Sequence, residues 1–447
     1  MKIQLSIGLL LVFFFALDSS AQFSDISNLD LETCIETALE NNLQLKRSQV
    51  NLATQEANLI GNVGQRIPTL STGGSSGYRW GRSINPVTNL FENNRIGNVN
   101  LFANANMTLF AGQQITNSIR QNKVDIEAAQ YNVLATENNI TLEVINLFIN
   151  VVFAKEQLKI AENQLGTTKE QLINTTKLVE AGALPLANRL DIQAQNATNE
   201  LEVINAQNNL RIAKLNLAQA MQIPFREELD VVAPELDPEN IIMTERDVDE
   251  IFQVALELMP EIRAAELGVE SADYGVRVAK AGYYPTLGIG ASAFSNYVDQ
   301  FFLGERMEFG TQIRNNFSNS GNIQLNIPIL SNFRNRANVQ RARLQKRLSE
   351  IQEEESRNIL RQDIESAYTN ANAARQSFRA SEIRVSSLEE SFRIAEQRFD
   401  AGAINFADYQ LAQNNFFNAQ ADLVTSKYTY IFRVKVLDFY LGNPLKL

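Results

Sequence analysis

Apolar positions along this chain recur at two periods, and the order in which the periods alternate is written twice. In the longest helical stretch Val144, Val151, Leu158, Leu165, Leu172 and Val179 follow one another at sevens. Leu147, Ala154, Ala161, Thr168 and Thr175 fill a second seam. The same frame returns as Ile364, Ala371, Phe378, Val385, Phe392 and Phe399, interleaved with Ala367, Ala374, Ser381, Leu388 and Ala395. An apolar seven-residue repeat held over five heptads predicts coiled-coil packing, and small residues on one seam predict close approach between helices. The pattern runs from about Gln113 to Ala181, roughly 100 Å of helix at 1.5 Å per residue. Each copy then reaches an Ala-Gly-Ala turn, around Gly182 and Gly402, and a second helical run begins near Pro185 and near Asn405. Each half therefore predicts a long antiparallel helical hairpin tipped by glycine.

Between the helical stretches the period falls to two. Val99, Leu101, Ala103, Ala105, Met107 and Leu109 alternate with Asn100, Phe102, Asn104, Asn106 and Thr108. Leu287, Ile289, Ala291 and Ala293 alternate with Thr286, Gly288, Gly290 and Ser292, and Ile323, Leu325, Ile327 and Ile329 alternate with Asn322, Gln324, Asn326 and Pro328. A fourth strand, about Thr69 to Arg82, is Gly/Ser-rich and is promoted by repeat symmetry. Runs with one apolar and one amide-rich face suit a lipid-facing and a water-facing surface; a soluble antiparallel sheet shows the same alternation. Ser83 to Gly97 and Ser295 to Ser320 read as long polar loops, with Trp80, Phe91, Tyr297, Phe301 and Phe302 as an aromatic girdle. Four strands cannot close a membrane barrel, which needs about eight or more, so a barrel must be shared between copies.

The two halves also share words. Ala38-Leu39-Glu40 recurs as Ala255-Leu256-Glu257, and Pro68-Thr69-Leu70 as Pro285-Thr286-Leu287, both 217 positions on. The glycine turns, and Pro224 with Pro444, lie 220 apart, so the slip falls between about residues 70 and 110. The expected organisation is an export signal at 1–21 and a first repeat at 22–224, with strands at about 69–109 and a hairpin at 113–222. A linker at 225–250 leads to a second repeat at 251–447, with strands at about 286–329 and a hairpin at 333–441.

Composition narrows the function. Lys2, the apolar run Ile3 to Leu17 and the small residues Ser19-Ser20-Ala21 predict secretion with cleavage before Gln22. No later apolar run reaches the length of a membrane helix. The net charge of −11 and pI near 4.9 argue against a nucleic-acid partner. One cysteine and no histidine exclude an intrachain disulfide and imidazole chemistry. Cys34, whose repeat partner is Ile251, reads as a small buried apolar residue rather than a lipidation site. No phosphate loop, metal-spaced group or nucleophile with a base is present, so no catalytic residue, cofactor or metal is expected. Arg334, Arg336, Arg341, Arg343, Lys346 and Arg347 form a basic cluster free of acids from Ser331 to Ser349. It suits inner-leaflet headgroups, a duct lining, or a solvated face balanced by Glu353, Glu354 and Glu355.

The order helix, strand, strand, long helix, glycine turn, long helix, given twice after an export signal, resembles the TolC family of outer-membrane efflux channels. The resemblance rests on Leu31-Glu-Thr-Cys-Ile-Glu-Thr-Ala-Leu-Glu-Asn-Asn42, the helix-to-strand prolines Pro68 and Pro285, Phe399-Asp-Ala-Gly-Ala-Ile-Asn-Phe-Ala-Asp408 and Leu441-Gly-Asn-Pro444. It implies a mostly α protein with a membrane β-barrel: a homotrimer with twelve barrel strands and a twelve-helix periplasmic tunnel, in the outer membrane of a Gram-negative bacterium. It further implies that tips bearing Gly182 and Gly402 dock a periplasmic adaptor (membrane fusion protein) of an inner-membrane RND or ABC pump. An acidic ring often closes such a tip. Asp408 matches that pattern, Leu411 replaces the next acid, and their repeat partners are Asn188 and Asp191. Asp408, Asp191 and Asn188 are therefore gate candidates, against the plainer reading that Asp191 and Asn188 cap the descending helix. The alternative class is a periplasmic or surface coiled-coil protein that forms no pore.

Overall fold

A computed structural model describes residues 28–84, 89–232, 244, 246–299, 301–302 and 305–443. The expected export signal, much of the linker and Pro444 lie outside these residues. The repeat is plain in the lengths of paired helices. α1 (Leu31–Asn41) and α5 (Val248–Leu258) have 11 residues each, and α2 (Leu43–Gly64) and α6 (Pro260–Ala281) have 22. α3 (Gln114–Glu180) and α8 (Arg334–Asp400) have 67, and α4 (Leu186–Ala220) and α9 (Phe406–Tyr440) have 35.

The helix expected to open each repeat is broken in two, for a different reason in each copy. Asn42 ends α1 and caps α2, its side-chain oxygen accepting from the backbone of Gln44 at 2.8 Å and Leu45 at 3.3 Å. In the second copy Pro260 is the first residue of α6, and a proline holds the preceding Met259 in extended backbone. Asp30 and Asp247 cap the opening turns, accepting from Thr33 at 2.8 Å and Val248 at 2.7 Å.

Strands β1 (Thr69–Ile84), β2 (Phe91–Ala111), β3 (Thr286–Asp299) and β6 (Ser318–Asn326) form one antiparallel sheet in the order β1-β2-β3-β6. β4 (Phe301–Phe302) and β5 (Glu305–Arg306) pair in the β3–β6 connection, followed by the short helix α7 (Phe309–Asn315). Three strands are longer than expected. Much of the supposed loops is ladder: Ile84 pairs with Phe91 and Gly97 with Asp299. β6 instead starts earlier and stops at Asn326, so Ile327 and Ile329 belong to the junction with α8. Beyond Gly97 only β1 and β2 continue as a two-stranded ribbon. The added rows of β2 run through the Asn-rich, charged stretch Phe91–Asn98, which has little strand propensity of its own and is held by its pairing with β1.

Register makes the alternation continuous across the sheet. One face carries Leu70, Ala105, Ala291 and Gly321 in one row and Met107, Ile289 and Ile323 in the next. The other carries the rows Ser71-Asn104-Ser292-Ser320 and Ser75-Asn100-Asn296. A bulge lies between Thr108 and Phe110, so Phe110 rather than Leu109 stands opposite Leu287.

Below the sheet α2 packs on α3, α3 on α6 and α6 on α8; nearer the tips α4 packs on α3, α3 on α9 and α9 on α8. Two apolar cores lie midway along the helices. One joins Cys34, Val144, Phe148, Val151, Leu217 and Met221, and the other joins Ile251, Ile364, Ala371, Val434 and Leu437. Burial, reinforced by the charge of Asp30, pushes the Cys34 thiol up to about 12, as suits an inert core residue. Among the described residues no helix is long and apolar enough to cross a membrane.

Candidate functional site: hairpin tips and barrel wall

Both tips close in the same way. Gly182 and Gly402 take φ of +75° and +69°, and an added Cβ at either would meet nothing within 4 Å. The amide of Gly182 donates to Val179 at 3.0 Å and that of Ala183 to Leu178 at 2.8 Å. Gly402 donates to Phe399 at 2.9 Å and Ala403 to Arg398 at 2.8 Å. This is the Schellman arrangement, in which a left-handed residue turns the last amides back onto orphan carbonyls. Glycine is required here by backbone shape, not by lack of room.

Packing closes each hairpin, and hydrogen bonds tie one hairpin to the other. Phe399 stacks on Tyr409 with ring centroids 4.8 Å apart, and Phe392 stacks on Phe416 at 5.6 Å. Gln171 of α3 hydrogen-bonds the Tyr409 hydroxyl, and Gln410 of α9 bonds Gln195 of α4. Asn199 Nδ2 donates to Thr168 Oγ1 at 2.7 Å, and that hydroxyl donates to the Gln164 carbonyl at 2.9 Å. Thr168 and Thr175, which look like the weak end of a heptad seam, are buried, whereas Leu158, Leu165 and Leu172 are only half-buried. The signal for this was the pairing of threonine on one helix with asparagine on the next, which apolar periodicity does not score.

The candidate gate residues occupy unequal positions. Asn405 caps α9 by accepting from the Asp408 amide at 2.9 Å, so Asp408 sits in the first turn, where a carboxylate complements the helix dipole. The cap of α4 is Pro185 with no side-chain bond, and Asn188 only donates its amide to the Pro185 carbonyl at 3.2 Å. Neither Asn188 nor Asp191 caps a helix, contrary to the plainer reading of those two residues. Asp191, Asp408 and Leu411 are exposed. Asp408 and Leu411 begin an exposed seven-residue stripe that continues through Asn415, Asn418, Asp422, Thr425 and Thr429.

At the other end Pro68 and Pro285 stand immediately before β1 and β3, where a missing amide interrupts no ladder. The return from strand to helix uses two consecutive left-handed residues in each repeat, Gly112-Gln113 and Asn332-Phe333. Gly112 is also pressed against Tyr284, whose Cβ would lie 2.6 Å from an added Cβ. Midway, Asp230 receives Lys155 Nζ at 2.6 Å and Lys214 Nζ at 3.3 Å, tying the segment after α4 to α3 and α4. Burial raises its pKa, but the Lys155 hydrogen bond and the charges of both lysines outweigh this and hold it below the usual carboxylate range. In the basic cluster Lys346 is spent on Asp273 at 2.7 Å and Arg347 on Glu350 at 3.0 Å. Glu353 pairs with Arg357, so it does not balance the cluster. Among the described residues no group of His, Cys, Asp or Glu is disposed to hold a metal ion.

A sheet with an apolar and an amide-lined face, set on helical hairpins of roughly 100 Å, defines the class: a passive exit duct that crosses the outer membrane on strands and reaches into the periplasm on helices. The comparisons agree. The outer membrane efflux protein family matches residues 34–221 and 251–443, one repeat each, and the chain belongs to that family. It is 22% identical to the outer membrane efflux protein BepC of Brucella suis, over 88% of this chain and 81% of that one. It is 23% identical to TolC of Escherichia coli over 69% and 62%. Among solved structures CusC matches with a TM-score of 0.79 at 17% identity, over 94% of both chains. The CmeC channel of Campylobacter jejuni matches at 0.79 with 18% identity, over 94% of this chain and 87% of that one.

Proposed function

We propose that three copies of this chain close side by side into one barrel and one tunnel. The supporting observation is a pair of open lateral edges. Among the described residues β1, α2 and α4 bound the chain on one side and β6 and α8 on the other, with no element packed beyond them. Both sides carry exposed apolar residues along their length. These are Leu43, Val50 and Ile60 on α2 with Leu190, Leu201 and Ile204 on α4, facing Leu344, Leu348, Ile351 and Ile383 on α8. Two different edges that complement each other make a head-to-tail contact, which generates a ring when the rotation closes. The free backbone of β1 and β6 gives the same instruction, since an open edge cannot persist in lipid. The number three is the one the TolC resemblance implies.

In this reading the amide face lines the pore. The glycine-tipped hairpins present themselves to a periplasmic adaptor, which couples the duct to an inner-membrane pump. Carboxylates at Asp408 and Asp191, repeated around the ring, favour cations at the periplasmic entrance. The mass of the detergent-purified protein tests the assembly: three chains are expected, and a stable monomer that conducts would overturn it. Ile204→Lys places a charge at 60% exposed Ile204 in the proposed seam and should release monomers. Reversal potentials in planar bilayers test the entrance. Asp408→Asn and Asp191→Asn should each lower cation preference, non-additively if they share a ring. Unchanged selectivity in the double variant places the constriction elsewhere.

A further inference from the structure

The collar where strands become helices has a composition unlike the rest of the molecule. Four segments meet there, and each is free of acids over a long stretch: 57–91, 93–124, 274–298 and 309–349. In a chain of net charge −11 this is a local reversal of sign. Within about two helical turns of the change lie Arg66, Lys280, Arg334 and Arg336, all exposed. They are not repeat equivalents: position 66 corresponds to Tyr283, and positions 334 and 336 to Gln114 and Thr116. Each repeat therefore supplies the charge independently. The nearest acid, Asp273, is occupied by Lys346 and Arg277, at 2.7 Å and 2.8 Å.

Apolar and aromatic residues share this level. Ile329 is 92%, Leu330 86% and Phe333 78% exposed, with Tyr283, Tyr284 and Ile67 also open. They lie just past the last paired rows of the sheet, at its helix end. On the apolar face of the sheet Tyr78, Trp80 and Tyr297 form an aromatic level nine to eleven residues above the strand starts Thr69 and Thr286. At about 3.3 Å per residue and a tilt near 40° that separation is roughly 25 Å, the height of the apolar band of a membrane barrel. The lower collar therefore falls at the periplasmic leaflet, aromatic rings at the boundary and cations beside it.

We infer that this collar binds the phosphate headgroups of anionic phospholipids in the inner leaflet of the outer membrane, with Arg334 and Arg336 as its centre. The two lie at the start of α8, beside the most exposed apolar residues of the collar, so acyl chain and phosphate are met by adjacent positions. The inference rests on the shared-barrel reading and adds the lipid class it selects.

The test uses the mature protein, purified in detergent and titrated with phosphatidylglycerol or with phosphatidylcholine of the same acyl chains, thermal unfolding being the readout. Phosphatidylglycerol should raise the melting temperature of the wild type at lower concentration than phosphatidylcholine. The Arg334→Gln/Arg336→Gln variant should need about 25-fold more phosphatidylglycerol, about fivefold per cation, as follows from about 1 kcal/mol for each Lys or Arg at an anionic surface. Arg334→Lys/Arg336→Lys should stay within about threefold of wild type. Conductance of every variant in planar bilayers checks that the barrel itself still forms; if the double glutamine variant does not conduct, Arg336→Gln alone carries the test at about fivefold. Equal response to both lipids in the wild type would overturn the inference. So would an unchanged lipid response in the glutamine variant with altered ion selectivity, because the cations would then line the duct.

Discussion

Replacing Gly402 with alanine separates the shape of the tip from its contacts. Its φ of +69° is open to glycine and costs an L side chain about 1–2 kcal/mol. Because no atom lies within 4 Å of the added Cβ, the whole cost is backbone. Relief comes by loosening the two bonds that the left-handed residue creates, from Gly402 to Phe399 and from Ala403 to Arg398. Hydrogen exchange at these two amides reads the opening directly, and a loss of 1–2 kcal/mol should speed it about 5- to 30-fold. Gly402→Asn should exchange more slowly than Gly402→Ala, since asparagine tolerates the left-handed region. Gly402→Leu should match alanine in the isolated protein and, if the tip docks an adaptor as proposed, differ only in binding it. Exchange in Gly402→Ala equal to wild type would refute the backbone argument. Rates ordered by side-chain size in the isolated protein would show that packing, not φ, selects glycine.

Other expectations follow from the cores and the Asp230 clamp. Phe148 is fully buried, so Phe148→Ala should cost about 3–5 kcal/mol, seen as a lower melting temperature with unchanged ion selectivity. Asp230 has a depressed folded pKa, so its contribution is complete above the unfolded carboxylate value and is lost as pH falls through the folded one. The stability gap between wild type and Asp230→Asn should therefore be present at pH 7 and close below about pH 4; a gap independent of pH would show that the lysines do not hold the charge. Asn199→Leu leaves the Thr168 hydroxyl without its donor and should destabilise by about 1–3 kcal/mol. Adding Thr168→Val should recover part of that loss in thermal melts, and strictly additive effects would mean the two side chains do not couple.

The long hairpins were legible because heptads and glycine turns are local signals repeated at one spacing, and Gly182 and Gly402 fall where those signals placed them. The breaks at Asn42 and Met259 were also written, as a cap residue and a proline, but a continuous apolar pattern ran over them. Strand ends were not legible. Phe91 to Gly97 are held in register by the facing strand Tyr78 to Ile84, and nothing in their own composition distinguishes them from loop. At the tips the seam changes at Thr168 from apolar contact to hydrogen bonds, a change that apolar periodicity does not register. Asp408 and Asp191 look alike as acids near a glycine, yet only the former stands in a capped first turn.

The β1–β2 ribbon outruns the rest of the sheet from Arg79–Ile96 to Ile84–Phe91, six paired rows, or about 20 Å of strand. In the proposed ring of three, each copy would raise one such ribbon above the last row that β3 shares with β2. Among the described residues of the ribbon Arg82, Ile84 and Phe91 stand beyond the Trp80 level, so they are a part of the molecule that an antibody could reach from outside, and one free to vary without disturbing the paired rows beneath.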